Sequence, residues 1–165
     1  AIFRLGNQFY LQPNIALSRN KNKDFVFQRD GEVEDLGETN IAFSPDIVFG
    51  NKIAYSPISN LEVALFSKYV GEQYMGNIDT ESSKLDAYMT HDLVANYEIR
   101  MQRTFKSIGF SAMINNIFNA KYVSNGYYFT YDDTWSTPGQ ITTLDGAGYY
   151  PQAGINFLLG VNFNF

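Results

Sequence analysis

The chain has 165 residues and a formal net charge of −5, with 16% aromatic residues (14 Phe, 12 Tyr, 1 Trp) and 18% charged residues. A pI near 4.8 leaves no basic face for nucleic acid. The absence of cysteine excludes disulfides and thiolate metal sites, and no run of about 18 apolar residues could form a transmembrane helix.

The amino end has no basic, then apolar, then small-residue leader, so any export signal is expected upstream. Ala1-Ile2-Phe3-Arg4-Leu5 before Gly6-Asn7 reads as the end of a strand entering a turn, and the chain as the carboxy-terminal part of something longer. From Gln8 to about Arg19, Phe9, Leu11, Ile15 and Leu17 alternate with Gln8, Gln12, Asn14 and Ser18, the period of a strand with two different faces. Pro13 lies inside it and cannot donate to a ladder, so an edge or a bulge is expected there. Asn20 to about Pro45 reads as a long polar loop with the acidic cluster Asp30, Glu32, Glu34, Asp35 and Glu38. Such a cluster is a solvated surface or a cation-binding face, and its spacing matches no defined metal loop.

A second strand, about Ile47 to Tyr55, puts Ile47, Phe49, Ile53 and Tyr55 on one face and stops at Ser56-Pro57-Ile58-Ser59-Asn60. A third sets Leu61, Val63, Leu65, Ser67 and Tyr69 against Glu62, Ala64, Phe66 and Lys68. Gly71 to about Lys84 reads as a polar loop. The fourth strand, Leu85 to Arg100, opposes Leu93, Ala95, Tyr97 and Ile99 to Asp92, Asn96, Glu98 and Arg100. After a short polar turn from Met101 to Lys106, the fifth alternates Ile108, Phe110, Ala112 and Ile114 with Gly109, Ser111 and Met113. The connection after Tyr122 spans about 25 residues, beyond the usual 12 to 15 of a structureless loop, and is expected to be functional or partly stranded. In the last strand Ala153, Ile155, Phe157, Leu159, Val161, Phe163 and Phe165 share one face, and only Leu158 breaks the alternation.

Long and short connections alternate. In an up-and-down antiparallel sheet every long connection then emerges at one end and every short turn at the other, as in outer-membrane barrels. At roughly 3.3 Å per residue and a tilt near 40°, Ile155 to Phe165 rises about 28 Å, close to an apolar band of roughly 25 Å. A soluble β-sandwich strand alternates too, but usually runs about five or six residues. Two aromatic bands are expected: Tyr69, Tyr88, Tyr122, Tyr149 and Tyr150 at the long-connection end, and Phe9, Tyr55, Tyr97, Phe110, Phe163 and Phe165 at the other, with Phe49 and Phe157 between. The expected fold is all-β, an antiparallel up-and-down transmembrane barrel in the bacterial outer membrane, with about six of its strands in this chain.

Asp92-Leu93 with Tyr97, Asn115-Asn116-Ile117-Phe118-Asn119-Ala120-Lys121-Tyr122, then Tyr149-Tyr150-Pro151-Gln152-Ala153-Gly154-Ile155-Asn156-Phe157 and a terminal Phe165 resemble the closing strands of a TonB-dependent outer-membrane receptor. The resemblance covers about residues 45 to 165. It implies a 22-stranded barrel with an amino-terminal plug that imports scarce, bulky ligands such as iron chelates, corrinoids or oligosaccharides. The implied partners are the rest of the barrel and its plug, the TonB complex and the lipid bilayer. Gly160-Val161-Asn162-Phe163-Asn164-Phe165 also resembles the insertion signal read by the barrel-assembly machinery, which assigns Gly160, Phe163 and Phe165 to that role. Leu158 departs from the polar residue that signal favours.

Catalysis is not expected. His91 is the only histidine; Ser67, Ser82 or Ser83 could stand beside it, but spacing cannot show a serine–histidine geometry. No Gly-rich phosphate loop or metal pair at helical spacing is present, and no cofactor is implied. Tyr127, Tyr128, Tyr131, Asp132, Asp133 and Trp135 are the candidate ligand contacts: aromatic faces stack on a sugar or planar ligand and carboxylates fix its polar groups. Packing within the loop and an interfacial girdle explain the same residues equally well.

Overall fold

A computed structural model describes residues 1–101 and 106–165; the central residues of the turn expected after Met101 lie outside the described residues. Along the chain run β1 (Phe3–Leu5), β2 (Phe9–Leu17), β3 (Lys21–Arg29), β4 (Glu32–Asn40), β5 (Ile47–Ile58), β6 (Leu61–Val70), β7 (Gln73–Tyr74), β8 (Lys84–Leu85), β9 (Tyr88–Arg100), β10 (Ser107–Asn115), β11 (Val123–Asp133), β12 (Thr142–Pro151) and β13 (Asn156–Asn164). The only helical element among the described residues is a 3₁₀ turn at Glu81–Ser83.

The fold is all-β and antiparallel. Seven strands form one open sheet in the order β1-β2-β5-β6-β9-β10-β13, and β3-β4, β7-β8 and β11-β12 form two-stranded ladders in the long connections. The sheet has seven strands rather than six because the short segment before Gly6 pairs with β2 through Phe3 and Leu11, Arg4 and Tyr10, and Leu5 and Phe9. Short connections and long excursions alternate between neighbours in the sheet, so all three excursions leave the same end.

Register turns the single-strand alternation into two faces. Phe9, Tyr55, Val63, Ala95, Ala112 and Leu159 lie in one cross-strand row, and Leu11, Ile53, Leu65, Leu93, Ile114 and Phe157 in the next. Toward the short turns come Leu61, Tyr97, Phe110 and Val161, then Ile99, Ile108 and Phe163. This apolar face is not covered by a second layer: Phe157 is 74% exposed, Leu159 78% and Ile15 63%. The opposite face is polar. There the Lys52 ammonium contacts the Glu62 carboxylate at 2.8 Å, the Tyr10 hydroxyl donates to the same carboxylate at 3.3 Å, and Lys52 lies over the Tyr10 and Phe66 rings.

Pro13 sits in an unbroken register between β2 and β5, so no bulge is needed. The Ser18 N–H donates to the Asp46 carbonyl and the Ser56 N–H to the Gln8 carbonyl, so the bonded pairs at both ends of β2 involve even-numbered residues. Antiparallel bonding alternates, so the odd-numbered Pro13 turns its nitrogen away from β5, toward the β1 side, two residues beyond the Phe3–Leu11 pair.

Two sequence expectations are corrected. Asn20 to Pro45 is not a loop but the β3-β4 hairpin, turning on Asp30 (φ 54°) and Gly31 (φ 80°), the paired left-handed residues of a two-residue hairpin turn. Register shifts between Asn22 and Phe25 and between Phe25 and Val26 interrupt its alternation, which is why periodicity does not reveal it. Gly71 to Lys84 likewise contains β7, the 3₁₀ turn and the start of β8, and β9 begins at Tyr88 rather than Leu85.

The aromatic bands are only half present on the apolar face. At the short-turn end Phe9 stacks on Tyr55 with ring centroids 4.3 Å apart, and Tyr97 pairs with Phe110. At the other end Tyr69 is on that face, whereas Tyr88 falls on the polar one, stacked on Tyr122, and Tyr149 and Tyr150 belong to the β11-β12 hairpin.

Candidate functional site: the hairpins at the long-connection end

Strand β11 again presents alternate faces. Tyr127, Phe129 and Tyr131 follow one another on one side, their centroids 6.2 and 6.3 Å apart and their planes within 18° and 26°, and Tyr150 of β12 extends the row beside Tyr127 at 6.1 Å. Tyr127 pairs with Gly148 and Phe129 with Gly146, and a side chain at either glycine would run into the ring lying across it. The missing Cβ atoms therefore let the rings lie down on the hairpin. All four rings are about half exposed, which makes a continuous aromatic strip.

The other side of the hairpin is bonded inward. Asp145 accepts from the Arg29 guanidinium at 2.8 Å, the Tyr128 hydroxyl at 2.9 Å and the Ser82 hydroxyl at 3.2 Å, which ties β12 to β3, β11 and the 3₁₀ turn. Next to it the Asp30 N–H donates to the Thr143 hydroxyl, the Thr143 N–H returns a bond to the Asp30 carboxylate, and the Thr143 hydroxyl donates to Asp132, each at 2.7 Å. The structure thus divides the predicted contact residues. Tyr127 and Tyr131 share the strip, Tyr128 and Asp132 are committed to this internal network, Asp133 caps the tip through the Trp135 and Ser136 N–H groups, and Trp135 stands 70% exposed. Of the acidic cluster, Asp30 belongs to the network and Glu38 pairs with Arg19, and no group of three metal-binding side chains exists among the described residues.

Burial pushes the Asp145 carboxyl up, but the bonds from Arg29 and Tyr128 outweigh it and hold it below the usual carboxylate value. The depressed value fixes the sign of the linkage: the contact is fully present above the unfolded value of about 3.9 and is lost as pH falls through the lower folded value. Spin labels at Gln28 and Leu144 should therefore report a narrow distance distribution at neutral pH that persists through the unfolded value of about 3.9 and broadens only as pH falls through the lower folded value. Asp145→Asn should be broad throughout; a pH-independent narrow distribution in that variant would count against the network.

The Asn115 to Asn119 motif holds the hairpin to the sheet. Asn116 takes a left-handed backbone (φ 50°), donates its N–H to the Asp92 carboxylate at 2.8 Å, and is 4% exposed. Its amide donates to the Ala120 carbonyl at 2.9 Å and the Ala153 carbonyl at 3.3 Å and accepts from the Ala120 N–H at 2.9 Å. Asn119 accepts from the Ile155 N–H at 3.1 Å. The residues leading into β13 are thereby fixed from the link before β11.

Of the insertion-signal residues, Gly160 faces Ser111 on the polar side, and Phe163 lies on the apolar side opposite Ile108. Phe165 follows the last strand and is 74% exposed. Among the serines, Ser67 is the one beside His91, with Oγ and Nδ1 2.8 Å apart, whereas Ser83 bonds the Ile78 carbonyl and Ser82 the Asp145 carboxylate. Sequence reasoning missed Phe129 and Tyr150 in the strip and Arg29 and Asp145 in the network. The i, i+2 spacing of Tyr127, Phe129 and Tyr131 carried the first signal; only the tertiary structure carries the second, across 116 residues.

These features define an all-β meander with an aromatic strip on an outlying hairpin. No family model matches the chain, and no curated protein matches it.

Proposed function

We propose that this chain forms the carboxy-terminal strands of a TonB-dependent outer-membrane transporter, which imports a scarce, bulky ligand and presents the β11-β12 strip on its outer surface. The observation that carries the reading is the seven-strand meander with one uncovered, largely apolar face, one largely polar face and every long connection at the same end. A soluble sandwich buries such a face under a second sheet. Lipid supplies the cover in this reading, and the polar face lines a lumen occupied by a plug. The open edges at β1 and β13 pair with the remaining barrel strands, because unpaired backbone groups in lipid cost several kcal/mol each. The barrel-assembly machinery inserts the protein through β13, and the TonB complex acts through the plug.

The test uses the intact encoded protein in cells. It should fractionate with the outer membrane, and uptake of one member of a panel of iron chelates, corrinoids and oligosaccharides should cease when a protonophore discharges the inner membrane. A water-soluble protein that stays monomeric without detergent would overturn the reading.

A further inference from the structure

The apolar face is interrupted by one polar row. Counting from the long-connection end, Leu17 and Ile47 form the first row, Ile15, Phe49, Tyr69 and Met89 the second, and Pro13, Asn51, Ser67 and His91 the third. The fourth is the wholly apolar row of Leu11, Ile53, Leu65 and Leu93. The Glu98 N–H bond to the Asn60 carbonyl places even-numbered residues of β6 in the bonded pairs with β9, so Ser67 and His91 face each other in a non-bonded pair, where side chains approach most closely. Their Oγ and Nδ1 are 2.8 Å apart. Phe118, 69% exposed, stands edge-on to the imidazole at 5.0 Å. His91 Nε2 has no hydrogen-bond partner among the described residues and is not buried, and the buried Oδ1 of the adjoining Asn51 has none either.

Hydrogen-bonding groups left unspent on a lipid-facing surface are costly, and they are retained where something meets them. Each row descends about 5 Å at a strand tilt near 40°, so the third row lies about 10 Å below the first and one row below Tyr69, which stands at the level of the aromatic girdle in the transporter reading. Resting on the transporter reading, we infer that this row is a lipid site: the Ser67 hydroxyl donates to Nδ1, which keeps the imidazole proton on Nε2, and Nε2–H donates to the ester carbonyl of a diacyl phospholipid. Phe118 packs along its acyl chain. The rows above the site contain only Leu17, Ile47, Ile15, Phe49, Tyr69 and Met89. No cation lies in those rows, and Arg19, two residues beyond Leu17, is paired with Glu38, so the site suits a zwitterionic phospholipid rather than the multiply phosphorylated headgroup of a lipopolysaccharide.

The intact protein in detergent, titrated with phosphatidylethanolamine and followed by native mass spectrometry, should bind the diester lipid about tenfold more tightly than its diether analogue, the equivalent of one hydrogen bond of about 1.4 kcal/mol. His91→Leu should lose that tenfold preference, His91→Gln, which keeps an N–H donor, should retain most of it, and Ser67→Ala should fall between. Equal binding of diester and diether lipid by the native protein, or tighter binding of lipopolysaccharide that the same variants abolish, would overturn the assignment. A protein that shows no heat-resistant β-structure in detergent would instead sink the transporter reading beneath it.

Discussion

Asn116→Ala is expected to lower the unfolding free energy of the intact protein by about 3 kcal/mol, from three side-chain hydrogen bonds at about 1 kcal/mol each. The amide is 4% exposed, so water cannot replace its bonds without opening the link, and the Ala120 and Ala153 carbonyls and the Ala120 N–H lose their partner together. Alanine also tolerates the φ of 50° less well than asparagine. Asn116→Asp tests the direction of the bonds. It keeps the acceptor for Ala120 but sets a carboxylate against two carbonyls, so it should recover only part of the loss, whereas Ala120→Gly on the same link should cost far less. Denaturant melts of the three variants make the comparison, and a loss below about 1 kcal/mol for Asn116→Ala would mean that the link is not what holds β13 in place.

The second large effect is expected at the aromatic strip. On the proposed transporter reading, replacing Tyr127, Phe129 and Tyr131 together by alanine should weaken ligand binding by about 100-fold, at roughly 1 kcal/mol per stacked ring, with no change in membrane insertion. The strip also permits a test that removes no ring. Because Phe129 lies across Gly146, Gly146→Ala forces the ring upward, and binding should fall by about tenfold through lost flatness alone. On the proposed transporter reading, binding of the panel members unchanged in both variants would return these residues to a packing role.

The strands of the sheet are legible in the sequence because each separates two environments along its whole length. Ile155 to Phe165 shows this most clearly, and its nine-residue pairing with β10 is uninterrupted. The β3-β4 hairpin is not legible by the same means. Its bulges at Asn22 to Val26 shift the alternation mid-strand, and the informative pair is Asp30-Gly31, a turn signal between segments too charged to resemble strands. Residue types identified the candidate contacts, but facing direction depends on strand parity within an unseen hairpin, which is why Tyr128 and Asp132 turn inward while Phe129 joins the strip. The Ser67–His91 contact needs the β6-β9 register, in which residues 24 apart become direct neighbours.

Pro13 makes the sheet unequal as a template. Any strand laid along β2 past Phe3 meets a position that accepts a bond but cannot donate one, so its own carbonyl goes unmatched, most expensively where water is absent. The edge at β13 carries no proline. At this one position the β1 side of β2 is thus a poorer template for a pairing strand than the free edge of β13.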